Sequence, residues 1–126
     1  MRVNTDFLIG HGVHGLIVGG TQGELYALTK EERKTIFQTV VTHARGRMPV
    51  VVCTAHSNTA ECIELTGFAE DIGADGVMIT PPYYCQPPEA GVIEHFRRIA
   101  AETIRRGGLQ HLKGRGQPGP RLASSF

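Results

Sequence analysis

Three short apolar runs, set about thirty residues apart as in chained βαβ units, constrain this chain more than anything else in it. They are Leu16-Ile17-Val18, Val50-Val51-Val52 and Val77-Met78-Ile79. Runs that are apolar at every position predict strands of a parallel sheet covered on both faces. Helical patterns fill the gaps. The first opens at Thr29, an N-cap residue with Glu32 three positions on, the signature of a capping box. Ile36, Val40 and Ala44, with Phe37 and Val41 beside them, give it an apolar stripe. Gly46 ends it and Pro49 opens the next strand. The second starts at Asn58, again with a glutamate, Glu61, three residues later as its capping partner. Ile63, Phe68, Ala69 and Ile72 are its expected inner face, and Gly73 its stop. The third runs from about Glu89 to Thr103, with Val92, Ile93, Phe96, Ile99 and Ala100 as its buried stripe. Ahead of the first strand the pattern predicts a partial helix from Asn4 to Ile9 and a turn through Gly12. No strand pattern precedes that helix, so the chain reads as starting in the middle of a fold. The order β-α-β-α-β-α with right-handed crossovers is a parallel α/β arrangement.

Bulk properties narrow the class. The chain has 126 residues, 40% hydrophobic and 20% charged, with a formal net charge of +1. That suits one domain with a real core and argues against a dedicated nucleic-acid surface. No apolar run approaches the length of a membrane span. Met1 to Asp6 carry no signal-peptide pattern. Cys53, Cys62 and Cys85 are odd in number and widely spaced, which predicts free thiols in a cytoplasmic protein. Neither they nor His11, His14, His43, His95 and His111 form a metal-ligand pattern, and no cofactor is expected. After Thr103 periodicity ends. Gly107-Gly108 leads into Lys113-Gly114-Arg115-Gly116-Gln117-Pro118-Gly119-Pro120-Arg121, a composition that predicts disorder. Such a basic tail can contact RNA electrostatically, but it has no aromatic residue before Phe126 on which a base could stack.

Two segments carry the chemistry. Gly19-Gly20-Thr21-Gln22-Gly23-Glu24 follows the first strand, and Thr80-Pro81-Pro82-Tyr83-Tyr84 follows the third. In a parallel sheet both lie at the C-terminal ends of strands, where such folds build their sites. Glycines let the first segment turn sharply and present N–H groups to a small carboxylate or phosphate. It is neither a Walker loop nor a dinucleotide fingerprint. Taken alone it is a common βα turn. The tyrosines offer phenols for proton transfer, with interface packing as the plain alternative. His56 follows the second run and is read as a surface residue without a role.

These residues resemble one family. Gly-Gly-Thr-x-Gly-Glu, the Leu-Thr-x-Glu-Glu helix start, Arg47-Met48-Pro49-Val50-Val51, Asn58-Thr59-Ala60-Glu61, Gly73-Ala74-Asp75-Gly76 and Thr80-Pro81-Pro82-Tyr83-Tyr84 are similar to the dihydrodipicolinate synthase/N-acetylneuraminate lyase family, the DapA-like class I aldolases. The likeness spans residues 4 to 103 without large gaps. It implies a (β/α)8 TIM barrel, here a partial one of three βα units over residues 1–103. It also implies a lyase that holds pyruvate or a related 2-oxo acid as a Schiff base on a lysine. Homodimers and homotetramers are implied as well, with no nucleic-acid or membrane partner. By the same resemblance Thr21 joins a proton relay and Tyr84 reaches across a dimer interface into the neighbour's relay. Gln22 stands where a second hydroxyl residue binds the pyruvate carboxylate; it keeps the backbone N–H and loses the hydroxyl. Tyr83 and Glu61 match the lysine-feedback pocket of some synthases, whereas Tyr26, Lys30 and Ser57 depart from it. For Glu61 the capping role suffices.

The family's Schiff-base lysine, on strand six, has no counterpart in this sequence. Lys30 and Lys34 sit on a helix face and Lys113 in the tail, and none offers the desolvated pocket a nucleophilic amine needs. The Tyr-Asn motif of strand five is also missing after Thr103. Codons permitted for Arg105 to Leu112, read one base later, spell Asp-Val-Val-Val-Tyr-Asn-Ile, the strand the family has there. Residues 104–126 are therefore expected to be an aberrant tail from a shifted frame. The first reading is a dihydrodipicolinate synthase-like enzyme in the intact parent, with this chain inactive alone. The alternatives are an N-acetylneuraminate lyase or a sugar-acid aldolase or dehydratase of the same family, and a non-catalytic fragment whose first and last strands leave unpaired edges.

Overall fold

The computed structural model describes residues 1–83 and 86–105. Helix α1 (Arg2–Gly10) precedes strand β1 (Leu16–Val18). Then come α2 (Lys30–Ala44), β2 (Val50–Cys53), α3 (Thr59–Asp71), β3 (Gly76–Met78) and α4 (Glu89–Arg105). The strands form one parallel sheet in the order β1-β2-β3. Leu16 pairs with Val50, Val18 with Val52, and Val52 with Val77. The predicted order of elements is the observed one. Asp75 locks the register from the side: Val50 N–H donates to its carboxylate at 2.8 Å, and its own N–H donates to Val50 O at 2.9 Å.

The predicted capping box at Thr29 is present. Glu32 N–H donates to Thr29 Oγ1 at 3.3 Å, and Thr29 N–H donates to Glu32 Oε2 at 2.8 Å. The second box does not form. Asn58 Oδ1 accepts from Ala60 N–H at 2.9 Å, but Asn58 N–H is taken by His56 Nδ1, also at 2.9 Å. Glu61 is drawn instead to Lys30 on α2, at 2.8 Å. Its expected capping role is thus replaced by an interhelical ion pair. Gly46 and Gly73 follow the ends of α2 and α3 with φ of 76° and 78°, the left-handed residue that closes a helix.

The larger of two buried clusters lies on one face of the sheet. Leu16, Val18, Val50 and Val52 meet Phe37, Val40, Val41 and Ala44 of α2, Leu65 and Ala69 of α3, and Ile72 just beyond its end. Each large side chain fully buried there contributes roughly 1.5–3 kcal/mol. The expectation of a sheet covered on both faces is met only in part among the described residues. Strand side chains alternate, and Ile17, between two buried neighbours, is 66% exposed. At the C-terminal end of that face Leu25 packs over Cys53 and Ala55, with Met78 beside them, but this second cluster does not include Ile17.

Two helix faces also differ from expectation. On α3 the buried residues are Cys62, Leu65, Thr66, Gly67 and Ala69, while Ile63 and Phe68 are half-buried. Thr66 is admitted because its hydroxyl donates to Cys62 O at 2.8 Å and pairs with Thr54 Oγ1 at 2.9 Å. On α4, His95 and Ile99 are buried, with Val92 half-buried; Ile93, Phe96 and Ala100 are exposed. The helix docks on α3 through the His95 side, which turns the more apolar stripe outward.

Candidate active-site rim

Immediately beyond β1 the chain turns at Gly19, with φ of 69°. A Cβ there would sit 2.9 Å from Phe37 Cε1, so the position demands glycine both for its backbone and for its space. The chain then winds through a single 3-10 turn, Thr21–Gly23. Gly23 N–H donates to Gly20 O at 2.9 Å and Glu24 N–H to Thr21 O at 3.1 Å. Two of the amides expected to face an anion are therefore spent inside the turn. Glu24 closes it in the left-handed region, at φ 53°. Thr21 and Gln22 are exposed.

The ends of β2 and β3 are tied together beside this turn. Thr54 N–H donates to Met78 O at 3.0 Å, and Ser57 Oγ donates to Tyr83 O at 3.2 Å. A Cβ on Gly20 would lie 3.3 Å from Met78 Cε, so the first loop reaches the end of the third strand. Because the strands are parallel, Thr21, Gln22, His56, Ser57 and Tyr83 all lie at one end of the sheet. Tyr84, the other residue assigned to the relay, lies outside the described residues, as do the 104–126 tail beyond Arg105 and Lys113.

The two described lysines near the rim are engaged. Lys30 Nζ lies 2.8 Å from Glu61 and 2.6 Å from Glu64. Lys34 Nζ lies 2.6 Å from Glu64 and 3.4 Å from Glu31. Hydrogen bonds that Lys30 donates to Glu61 and then Glu64 raise its pKa above the ordinary value, and the one Lys34 donates to Glu64 does the same for Lys34. A Schiff-base amine needs the opposite shift. Across the network, Lys30 and Lys34 hold the Glu64 carboxyl down at about 2.

Two buried basic residues escaped the sequence reading. Arg33 is 2% exposed; its Nη2 donates to Cys53 O at 2.6 Å, and its guanidinium stands 5.8 Å over the Phe37 ring. Burial disfavours its charged form. His95 is 3% exposed and its Nδ1 is 2.9 Å from Thr59 Oγ1. Burial likewise lowers its pKa. The signal for both was spacing: Arg33 precedes Phe37 by one turn, and His95 lies between Val92 and Ile99 on one helical face.

Comparison with known proteins decides the family. Residues 1–105 match the profile of the Dihydrodipicolinate synthetase family. The chain belongs to the dihydrodipicolinate synthetase family. It is 43% identical over 108 residues to 4-hydroxy-tetrahydrodipicolinate synthase 1 of Halalkalibacterium halodurans, covering 86% of this chain and 37% of that one. To the 4-hydroxy-tetrahydrodipicolinate synthase of Bacillus subtilis it is 41% identical over 110 residues, covering 87% and 38%. Among solved structures, the prophage protein YagE of Escherichia coli K12, of the dihydrodipicolinic acid synthase family and in complex with pyruvate, superposes with a TM-score of 0.79 at 38% identity. That match covers 82% of this chain and 35% of YagE. The chain thus spans little more than a third of the length of its dihydrodipicolinate synthetase relatives. Its three strands and their helices correspond to the N-terminal part of the family's TIM barrel. That placement explains Ile17: alternate strand residues of a barrel point into its interior, which the remaining strands enclose.

Proposed function

We propose that the rim bearing Thr21, Gln22 and the Tyr83-Tyr84 loop serves a pyruvate-dependent class I aldolase, dihydrodipicolinate synthase-like, in the intact parent protein. One observation carries this reading. The Gly19–Glu24 turn and the Tyr83 loop, two strands apart, share the C-terminal end of one parallel sheet, where barrels of this kind place their chemistry. A lysine elsewhere in the parent attacks the pyruvate keto carbon and expels water, leaving an imine. Loss of a methyl proton gives the enamine, whose carbon adds to an aldehyde carbon. Thr21 and Tyr84 relay those protons, and the Thr21–Gln22 segment receives the carboxylate. The protein with the pyruvate complex among the relatives supports a keto-acid ligand.

The 126-residue chain is inactive alone on this reading, because Lys30 and Lys34 are held as ammonium ions by carboxylates. Borohydride trapping with labelled pyruvate, followed by mass spectrometry, tests it. No adduct is expected; a reduced pyruvyl-lysine at Lys30, Lys34 or Lys113 overturns the inactivity. The frame proposal is tested by the gene itself. Nucleotides across the Thr103 junction should encode, in another frame, a strand ending in Tyr-Asn. The product of the restored frame should trap pyruvate on a lysine outside these residues, and Thr21→Val in it should lower kcat by roughly 10²–10⁴-fold. A restored product that traps no pyruvate ends the aldolase reading.

A second reading has its own observation. Ile17 is 66% exposed on the part of its sheet face that the Leu25 cluster leaves uncovered, and β1 and β3 are open edges among the described strands. A non-catalytic fragment that needs further chain to fold would show no cooperative urea transition.

A further inference from the structure

Helix α4 is held by a single seam. It docks on α3 and makes no comparable contact with any described strand. Its Ile93 and Phe96 face outward. Inside the seam lies His95, with Ile99 one turn on, both 3% exposed. Nδ1 of His95 is 2.9 Å from Thr59 Oγ1, at the start of α3. Nε2 is buried and has no hydrogen-bond partner among the described residues. Whichever tautomer the neutral ring adopts, an imidazolium carries N–H on both nitrogens. In the closed seam only Nδ1 has a partner, so the charged ring would bury a donor with nothing to accept it.

The surroundings do not offset that charge. On α3, Glu61 and Glu64 are paired with Lys30 and Lys34, and Cys62 is a buried thiol that burial pushes toward its neutral form. On α4 itself Glu94 pairs with Arg97 at 2.6 Å, Arg98 brings a like charge one turn from His95, and Glu102 stands two turns on. From the loops come the phenol of Tyr83 and His56, whose Nδ1 accepts from Asn58 N–H. None of these bonds to Nε2. Burial therefore acts on His95 uncompensated and disfavours its charged form. We propose that His95 is an acid-sensitive latch for α4: the neutral ring lets the α3–α4 seam close, and protonation opens it, releasing α4 while the sheet and the helices α2 and α3 stay folded. The closed state binds fewer protons at His95 than the open one. Closure is therefore complete above the ordinary 6.5 and weakens as pH falls below it. The latch uses neither Thr21 nor Gln22 and is independent of the aldolase reading.

Amide hydrogen exchange of the full 126-residue chain provides the test, at about pH 7.5 and about pH 5.5, expressed as protection so that intrinsic rates cancel. At the lower pH, protection at Ile99, Ala100 and Ala101 should fall between about threefold and tenfold, while Val51 and Val52 of β2 keep theirs. In His95→Asn an amide still reaches Thr59 but takes no proton, so the loss in α4 should disappear. This comparison also separates His95 from His56. A ring ¹⁵N titration of the native chain decides the matter even where the variant does not fold: His95 should take its proton only as α4 loses protection. Protection in α4 that does not change with pH overturns the proposal, as does an α4 already unprotected at the higher pH. So do an equal loss in β2, an equal loss in His95→Asn, and a ring that charges while α4 stays protected.

Discussion

Ser57 Oγ donates to the Tyr83 carbonyl across 3.2 Å, and this bond joins the loops that follow β2 and β3. Both residues are exposed, so the bond is a positioning contact more than a source of stability. Ser57→Ala should cost no more than about 1 kcal/mol by urea unfolding. It should, however, speed hydrogen exchange at the Tyr83 amide well above that of amides in β2. Unchanged exchange at Tyr83 would show that the prolines alone hold the loop.

Gly19 can be separated from other turn glycines. Gly19 and Gly46 both have positive φ, 69° and 76°, but only Gly19 has a side chain, Phe37, within 3 Å of where a Cβ would lie. Both alanine variants share the backbone penalty. Gly19→Ala adds the clash with a buried ring and should be less stable than Gly46→Ala by ~1–3 kcal/mol. Equal urea midpoints would mean that the ring moves aside freely.

The buried Thr54–Thr66 pair has a fixed direction. The Thr66 hydroxyl donates to Cys62 O, so Thr54 must donate to Thr66 Oγ1. Thr66→Val strands the Thr54 proton in the core and should cost roughly 1–3 kcal/mol. Thr54→Val leaves Thr66 bonded to Cys62 O and should cost less. The double variant should resemble Thr54→Val, which a double-mutant cycle in urea would show.

Glu64 supplies a pH signature. Its folded pKa is about 2, lowered by Lys30 and then Lys34 from the ordinary 4.5. The unfolded chain therefore binds more protons between those values. The contribution is complete above pH 4.5 and fades as pH falls through about 2. The difference in urea midpoint between the native chain and Glu64→Gln should be constant above pH 4.5 and vanish near pH 2. It should also shrink with added salt, because the pairs are exposed to solvent.

Much of the candidate site was legible before any coordinates. The three apolar runs located the strands, and the Thr29–Glu32 box located the start of α2. Parallel order then put the Thr21 turn and the Tyr83 loop on one rim. These features are local, or follow from the handedness of βαβ crossovers, so sequence is enough to read them. Glu61 shows the limit. Its spacing from Asn58 satisfies a capping box, but a histidine two residues before Asn58 reaches the amide and a lysine on another helix claims the carboxylate. Competition among partners far apart in sequence leaves no mark in a spacing pattern.

The sequence by itself determined which segments are helix and strand, their order, and the family, because periodicity, caps and glycine turns are properties of a few adjacent residues. Only the tertiary structure decided which faces those elements bury: that Ile17 lies on the open part of its face, that α4 docks through His95 with Ile93 and Phe96 outside, and that Arg33 is enclosed against Cys53 and Phe37. The rotation of a helix about its axis is set by what it packs against, and a sheet is covered only where another element is within reach.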